Sequence, residues 1–381
     1  MSNPALPIRL PRPSSGRVDL LIVAAEHSGD EHAARMVREL RAKQPGLTVA
    51  ALGGQRLAAA GAQLLLDLTA GSVLGFGEVL KKFSFYRAVI DEVVEWVGEH
   101  KPRAVCFVDS SGLNLRIARG LFVRGFSAKA GGPTKTLYYI SPQIWASRAG
   151  RRFEMAKHLD GLAAIFPFEA NVYADTTLPV EFVGHPFLAP DYVAPVKFDA
   201  AGPVLLLPGS RKSAVAKIFP VLLESFREAR VEREAVVIYP SNEVLAALQA
   251  ANPPANVRLV RTGEPVAASA VLTSSGTMSM HCALAGIPGA ITYRTDALTY
   301  WLGRTLVRVK FLGIANLLLG EPMYPEFIQG AAKSAALAQE LRRCLDDPAR
   351  RARTAEQAAR LRALLRVAAN DTAAEWLAKH L

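Results

Sequence analysis

Short apolar runs alternate with amphipathic stretches along almost the whole chain, and that alternation admits few folds. Asp19 to Ala25, Leu47 to Leu52, Ala104 to Val108, Lys135 to Ile140, Gly161 to Ile165 and Val180 to Val183 read as strands, with helices over Glu31 to Lys43 and Val79 to Glu99. Strands apolar along their length and separated by helical segments are the pattern of a parallel sheet covered on both faces by crossover helices. Three prolines between His185 and Pro195 resist both helix and sheet, so this stretch reads as a linker. Beyond it the alternation restarts with Pro203 to Leu207, Ala235 to Tyr239, Val257 to Val260, Ala268 to Leu272 and Gly289 to Thr292. The expectation is an α/β protein with two doubly wound parallel-sheet domains. A flexible leader covers 1–17, the first domain 18–186 and the second 187–330. The Ala-, Leu- and Arg-rich tail over 331–381 is helical by propensity, and either caps the second sheet or returns to the first domain.

With 381 residues, half of them hydrophobic, the chain can bury a large core. Lys and Arg outnumber Asp and Glu by 45 to 34, a formal charge of +11, which points to a polyanion, an acidic membrane surface or an anionic substrate. No RNA-binding signature, zinc finger or basic repeat supports nucleic acid, and Arg9, Arg12 and Arg17 place part of the excess in the Pro-rich leader. Cys106, Cys282 and Cys344 lie far apart and the seven histidines contain no His-x-x-x-His pair, so neither a disulfide framework nor a metal site is expected. The N-terminal stretch lacks the apolar core of a signal peptide, and no uninterrupted apolar run is long enough for a membrane span, so the cytoplasm is the expected compartment.

In open parallel sheets the ligand sits beyond the carboxyl ends of the strands, which directs attention to the loops there. Leu205-Leu206-Leu207-Pro208-Gly209-Ser210-Arg211 ends a strand at a turn carrying a hydroxyl and a guanidinium. Gly209 allows close backbone approach, Ser210 can donate or cap, and the planar fork of Arg211 suits phosphate oxygens; a plain turn with a capping Arg is the alternative. Ser274-Ser275-Gly276-Thr277 repeats the arrangement downstream, where amides at a helix start with hydroxyls beside them suit a diphosphate, or serve as an ordinary N-cap. In the first half, Ala25-Glu26-His27-Ser28-Gly29-Asp30 is either a substrate-binding turn through Ser28, Gly29 and Asp30 or an N-cap. Asp109, at the end of the Val105 to Val108 strand, is placed either as a general base toward a sugar hydroxyl or as a turn-closing acid, with Asn114 five residues on.

Taken in order, these motifs resemble the lipid-A-disaccharide synthase family of GT-B glycosyltransferases, from about Asp19 to the C-terminal helices. The resemblance extends to Gly75-Phe76-Gly77-Glu78-Val79-Leu80, Tyr139-Ile140-Ser141-Pro142-Gln143-Ile144-Trp145-Ala146, Phe166-Pro167-Phe168-Glu169, Phe182-Val183-Gly184-His185-Pro186, Tyr293-Arg294 and Asn316-Leu317-Leu318. It implies two Rossmann-like domains, an acceptor-binding one first and a UDP-sugar-binding one second. The implied reaction transfers 2,3-diacylglucosamine from its UDP derivative to the 6-hydroxyl of 2,3-diacylglucosamine 1-phosphate, inverting and metal-independent, without a cofactor.

By the same resemblance Asp109 is the base and Asn114 orients the sugar. Ser28, Gly29, Asp30, Gln143 and His185 are further acceptor or sugar contacts, while Gly209, Ser210, Arg211, Ser275, Gly276, Thr277 and His281 hold UDP. Acylated substrates imply peripheral association with an anionic inner-membrane surface, and a homodimer is compatible with the family. Aromatic and basic residues mix in two stretches suited to such contact: Phe76, Val79, Leu80, Phe83, Phe85 and Tyr86 around Lys81 and Lys82, and Tyr300, Trp301, Leu302, Leu306, Val307 and Phe311 around Arg304, Arg308 and Lys310. An amphipathic core helix is the alternative for both.

The chain departs from the family pattern at Ala214, where an acid is usual, at His281, where a ribose-binding Glu is usual, at Ser111, Gly112 and Leu113 beside the base, at Ser147, and at Glu321 and Pro322. An imidazole accepts one hydrogen bond where a carboxylate takes both ribose hydroxyls. Two further readings therefore stand beside the active synthase: a diverged paralogue that binds a nucleotide sugar or lipid without turnover, and an epimerase or polysaccharide transferase of the same fold.

Overall fold

The computed structural model describes residues 8–69, 79–295 and 310–381, with backbone alone over 79–83. It divides into two compact units, Met1–Pro186 with Val367–Leu381, and Phe187–Arg366.

In unit 1 the strands are β1 (Leu20–Val23), β2 (Val49–Gly53), β3 (Gln63–Asp67), β4 (Ala104–Val108), β5 (Lys135–Tyr139), β6 (Gly161–Ala164) and β7 (Val180–Phe182). They form one sheet in the order β3-β2-β1-β4-β5-β6-β7, every pairing parallel. Every residue of β1, β2, β4 and β6 is buried, as a sheet covered on both faces requires. The helices are α1 (His27–Lys43), α2 (Gln55–Ala59), α3 (Val79–His100), α4 (Ser111–Val123), α5 (Arg151–His158) and α6 (Glu169–Val172). In α1, Ala33, Ala34, Met36, Val37 and Leu40 recur at helical spacing and face inward, while Arg41 and Lys43 in the last turn complement the helix dipole.

Unit 2 carries β9 (Val204–Leu207), β10 (Ala235–Tyr239), β11 (Val257–Arg261), β13 (Ala270–Ser274), β14 (Gly289–Tyr293) and β15 (Glu326–Ile328) in the order β11-β10-β9-β13-β14-β15. These pairings are also all parallel. A separate parallel pair joins β8 (Val196–Phe198) to β12 (Val266–Ala268). The apolar run expected to be one strand from Ala268 is thus split between two sheets. Ser269 makes the break, its N–H donating to the Pro203 carbonyl at 3.0 Å and its Oγ to the Gly202 carbonyl at 2.8 Å. Helices α7 (Lys212–Ala229), α8 (Asn242–Gln249) and α9 (Thr277–Leu284) are followed by Ile314–Leu319, Ser334–Asp346 and Pro348–Leu365.

The Arg350 side chain ties the Pro348–Leu365 helix to the sheet. Buried to 3 % exposure, it pairs with Glu340 at 2.9 Å and donates to the carbonyls of Gly289 at 3.0 Å and Met323 at 3.1 Å. The chain re-enters unit 1 after Arg366, and its last helix, Ala373–His380, packs on α1 and against Gly161 through the buried Trp376. The expectation of a flexible leader over 1–17 is corrected from Ile8 on. The Leu10 N–H donates to Glu92 at 2.8 Å, the Pro11 carbonyl accepts from Trp96 Nε1 at 2.9 Å, and Gln63 takes both the Ser14 N–H and the Arg12 carbonyl. The Pro-rich linker contains a short 3-10 turn at Pro186–Leu188, where unit 1 ends.

Candidate active site

Each sheet reverses its strand order once. In unit 1 the chain steps outward from β1 to β2 and β3 and returns on the other side at β4; in unit 2 it steps from β9 to β10 and β11 and returns at β13. In each sheet separately, the carboxyl ends of β1 and β4, or of β9 and β13, therefore border a crevice of the kind where doubly wound sheets hold their ligands. All four loops singled out from the sequence leave those four strand ends.

In unit 1 the loops after β1 and β4 meet. A Cβ built on Gly29 would lie 3.8 Å from Asp109 Cβ and 3.5 Å from the Val108 carbonyl, so the start of α1 runs directly beside the proposed base. Ser28 is half-buried there. Asp30, expected in a substrate-binding turn, has another role. It is 3 % exposed, and its carboxylate accepts the N–H groups of Gly54 at 2.7 Å, Arg56 at 3.1 Å and Leu57 at 3.3 Å. A carboxylate from α1 thereby satisfies the open amides at the start of α2.

Asp109 and Ser110 both have left-handed backbones, with φ of 51° and 44°. For residues with a Cβ that conformation costs roughly 1–2 kcal/mol each, so something must hold the turn. The Asp109 N–H donates to the Tyr139 carbonyl at 3.1 Å. The Asp109 carbonyl accepts from Asn114 Nδ2 at 2.8 Å and from the Tyr138 hydroxyl. Asn114 is fully buried and also donates to the Val108 carbonyl at 3.2 Å. The expected sugar-orienting role of Asn114 is corrected accordingly: its amide shapes the turn that carries Asp109.

Gln143 is exposed, on the loop after β5. His185 is 5 % exposed with its ring 5.3 Å from that of Phe166, so the expectation of a sugar contact gives way to a packed imidazole. Beneath this loop lies Glu169, to which the sequence reading gave no role. It is fully buried and accepts the N–H groups of Ile165 at 3.2 Å and Phe166 at 3.1 Å, with Trp145 Nε1 at 3.3 Å. Burial pushes its carboxyl up to about 7, against the hydrogen bonds that lower it. In the sequence, Trp145 and Glu169 each lie in one of two separate family-like motifs, with nothing local to pair them.

In unit 2, Gly209 has φ of 114°, a region that favours glycine, and a Cβ there would come within 3.3 Å of Ser274 Oγ. The two loops thus approach closely. Ser210 and Arg211 are exposed, and Arg211 is the N-cap of α7 without a side-chain cap bond. Gly276 and Thr277 are exposed at the start of α9. Ser279 Oγ donates to the Gly276 carbonyl at 2.6 Å and accepts its N–H at 3.4 Å. Two helix N-termini and one guanidinium border the β9/β13 crevice, an arrangement that favours a diphosphate.

Two expected UDP contacts also have partners within unit 2. Ser275 Oγ donates to the Leu312 carbonyl at 3.0 Å. His281 is 5 % exposed, packed on Phe187 with centroids 3.9 Å apart and within 3.2 Å of the Tyr192 hydroxyl. Its ring holds the start of the linker against α9. Glu326, not anticipated, accepts the N–H groups of Leu312 at 2.9 Å and Gly313 at 2.9 Å and Asn316 Nδ2 at 2.8 Å, fixing the loop that Ser275 touches.

Residues 75–78 of the motif 75–80 and, of the aromatic and basic stretches, Phe76, Tyr300, Trp301, Leu302, Arg304, Leu306, Val307 and Arg308 lie outside the described residues, as do the side chains of Val79, Leu80, Lys81, Lys82 and Phe83. Phe85 and Tyr86 pack partly buried against the unit 1 core, which is the amphipathic-helix alternative at those two positions. Among the described residues no group of three or more His, Cys, Asp or Glu is placed to hold a metal ion, and no helix is long and apolar enough to cross a membrane.

The chain is 34% identical to the lipid-A-disaccharide synthase of Geobacter sulfurreducens over 355 residues, covering 87% of this chain and 88% of that protein. It is 36% identical to that of Anaeromyxobacter dehalogenans over 349 residues, covering 87% and 89%. Among solved structures, the UDP-GlcNAc 2-epimerase of Neisseria meningitidis superposes with a TM-score of 0.57 at 14% identity, covering 88% of this chain and 94% of that one. The kitacinnamycin glycotransferase superposes with a TM-score of 0.56 at 14% identity, covering 96% and 100%. These likenesses show the GT-B fold of two Rossmann-like domains. Residues 20–380 match the family model described as lipid-A-disaccharide synthetase, and the chain belongs to that family.

Proposed function

We propose that the protein is a lipid-A-disaccharide synthase: it transfers 2,3-diacylglucosamine from its UDP derivative to the 6-hydroxyl of 2,3-diacylglucosamine 1-phosphate, giving the lipid A disaccharide precursor and UDP. The observation that carries the reading is the placement of Asp109 and Arg211 at the strand ends bordering the two switch points, in a chain of this family. Unit 1 takes the acceptor and unit 2 the donor. Asp109 removes the proton of the acceptor hydroxyl, whose oxygen bonds to the anomeric carbon as the bond to the diphosphate breaks, and UDP leaves with the electron pair. Attack opposite the leaving group inverts the anomeric centre. Arg211 and the N-termini of α7 and α9 meet the negative charge that grows on the diphosphate, a role that calls for no bound metal. The acylated substrates and the charge of +11 support peripheral association with an anionic inner-membrane surface from the cytoplasmic side, as a monomer or a homodimer.

Purified protein incubated with both lipid substrates should yield the disaccharide and UDP in equal amounts, read by mass spectrometry. Asp109→Asn should lower transfer by at least about a hundred-fold and leave UDP affinity within about two-fold, because the amide keeps the shape but cannot take the proton. Bound UDP with no disaccharide from the wild-type protein would overturn the proposal in favour of the non-catalytic paralogue.

A further inference from the structure

The turn that carries Asp109 is held from below by two buried side chains that no substrate would reach. We infer that Tyr138 is a positioning residue for the proposed base, clamping the Asp109 carbonyl together with Asn114 so that the left-handed turn Asp109-Ser110 is the populated one. The inference rests on the assignment of Asp109 as base.

Four observations carry it. The Tyr138 ring is fully buried in β5, and its hydroxyl donates to the Asp109 carbonyl across the β4/β5 pairing, where Phe107 lies opposite Tyr138. Asn114, one turn into α4, donates to the same carbonyl at 2.8 Å, so both acceptor positions of that oxygen are filled. The two residues between these anchors, Asp109 and Ser110, adopt left-handed backbones without being glycine. Ser110 Oγ is buried and makes no hydrogen bond, so nothing in its own side chain favours the conformation. A turn disfavoured by its own residues and carried by a carbonyl clamp relaxes when the clamp is cut, and the carboxylate attached to it moves.

Because Ser110 contributes a disfavoured backbone and an unpaired hydroxyl, glycine at that position should remove both at once. This gives a test that separates positioning from stability. Tyr138→Phe keeps the ring and removes only the clamp. It should lower kcat on the order of ten- to a hundred-fold, with KM for the UDP donor within about two-fold of wild type, as expected for a misplaced group at the reacting centre. Ser110→Gly in the Tyr138→Phe background should recover much of that loss. Hydrogen exchange of the peptide spanning 109–114 should be faster in Tyr138→Phe than in wild type, and this reads the clamp whether or not transfer is detected.

Unchanged kcat in Tyr138→Phe overturns the positioning role. So does a loss that follows only the fraction of folded protein by circular dichroism, or one that Ser110→Gly leaves untouched. Unchanged exchange over 109–114 overturns the clamp itself. Absence of transfer by the wild-type protein would instead count against the proposed reaction, leaving the exchange result to decide the clamp.

Discussion

Replacing Glu169 by Gln should change how stability depends on pH, in a direction the burial of that carboxyl fixes. Ionising a carboxyl whose native value is about 7, against the ordinary 4.5, costs the folded state about 3 kcal/mol. Because the folded value is raised, the native state binds more protons than the unfolded chain between pH 4.5 and 7. The contribution of Glu169 is therefore whole below about pH 4.5 and is lost as pH rises through about 7.

His32 works in the opposite sense. Burial, with the charge of Arg35, pushes it down to about 4, so it must stay neutral in the fold and costs stability as pH falls. The wild-type profile alone thus mixes two signs, and the difference between wild type and Glu169→Gln isolates one. Near pH 5 the glutamine should match the protonated glutamic acid to within about 1 kcal/mol, since both retain an acceptor for the amides of Ile165 and Phe166. Near pH 8 the variant should be the more stable by about 3 kcal/mol, the bond from Trp145 being already included in the value of about 7. Equilibrium urea unfolding followed by tryptophan fluorescence at pH 5, 6, 7 and 8 reads both values. A difference that stays flat with pH, or grows in favour of wild type as pH rises, would refute the account of Glu169 as a carboxyl disfavoured when charged.

Arg211→Lys keeps the charge at the start of α7 but loses the planar fork, so UDP affinity by calorimetry should fall by about ten-fold or more, from the roughly 1.5–3 kcal/mol of a charge-assisted bond; unchanged affinity in Arg211→Ala would reduce the motif to a turn. Arg350→Met should destabilise unit 2 by about 2–4 kcal/mol in chemical denaturation, because it removes the buried partner of Glu340 at 2.9 Å and leaves that carboxylate only the half-exposed Arg343 at 3.1 Å. The further change Glu340→Leu should recover part of that loss, and no recovery would place the cost in packing around the helix and not in the under-paired buried charge.

The sequence determined the fold because the signal for a parallel sheet is local. Runs such as Leu20–Val23 and Ala104–Val108, buried at every position, can only be covered on both faces, and helices must supply the cover. The same logic located the ligand loops: a strand that ends in Pro-Gly-Ser-Arg or Asp-Ser-Ser-Gly announces a turn at its carboxyl end whatever surrounds it. Short elements escaped where the local signal was weak, as with the half-buried β3 and β15, or where one apolar run served two sheets, as at Ser269. What the sequence left undecided was the direction of each polar side chain. Ser28 and Asp30 lie two residues apart on one turn, yet Asp30 turns inward to cap α2, a helix that begins 25 residues later, and this requires the sheet to bring β1 and β2 together. Asn114 turns back on the carbonyls of Val108 and Asp109, the Ser275 hydroxyl donates to Leu312 37 residues on, and His185 and His281 lie against aromatic rings. Arg211, Gly276 and Thr277 remain exposed at helix starts. A buried polar group must find a partner at almost any separation in sequence, and only the tertiary structure says which partner is within reach.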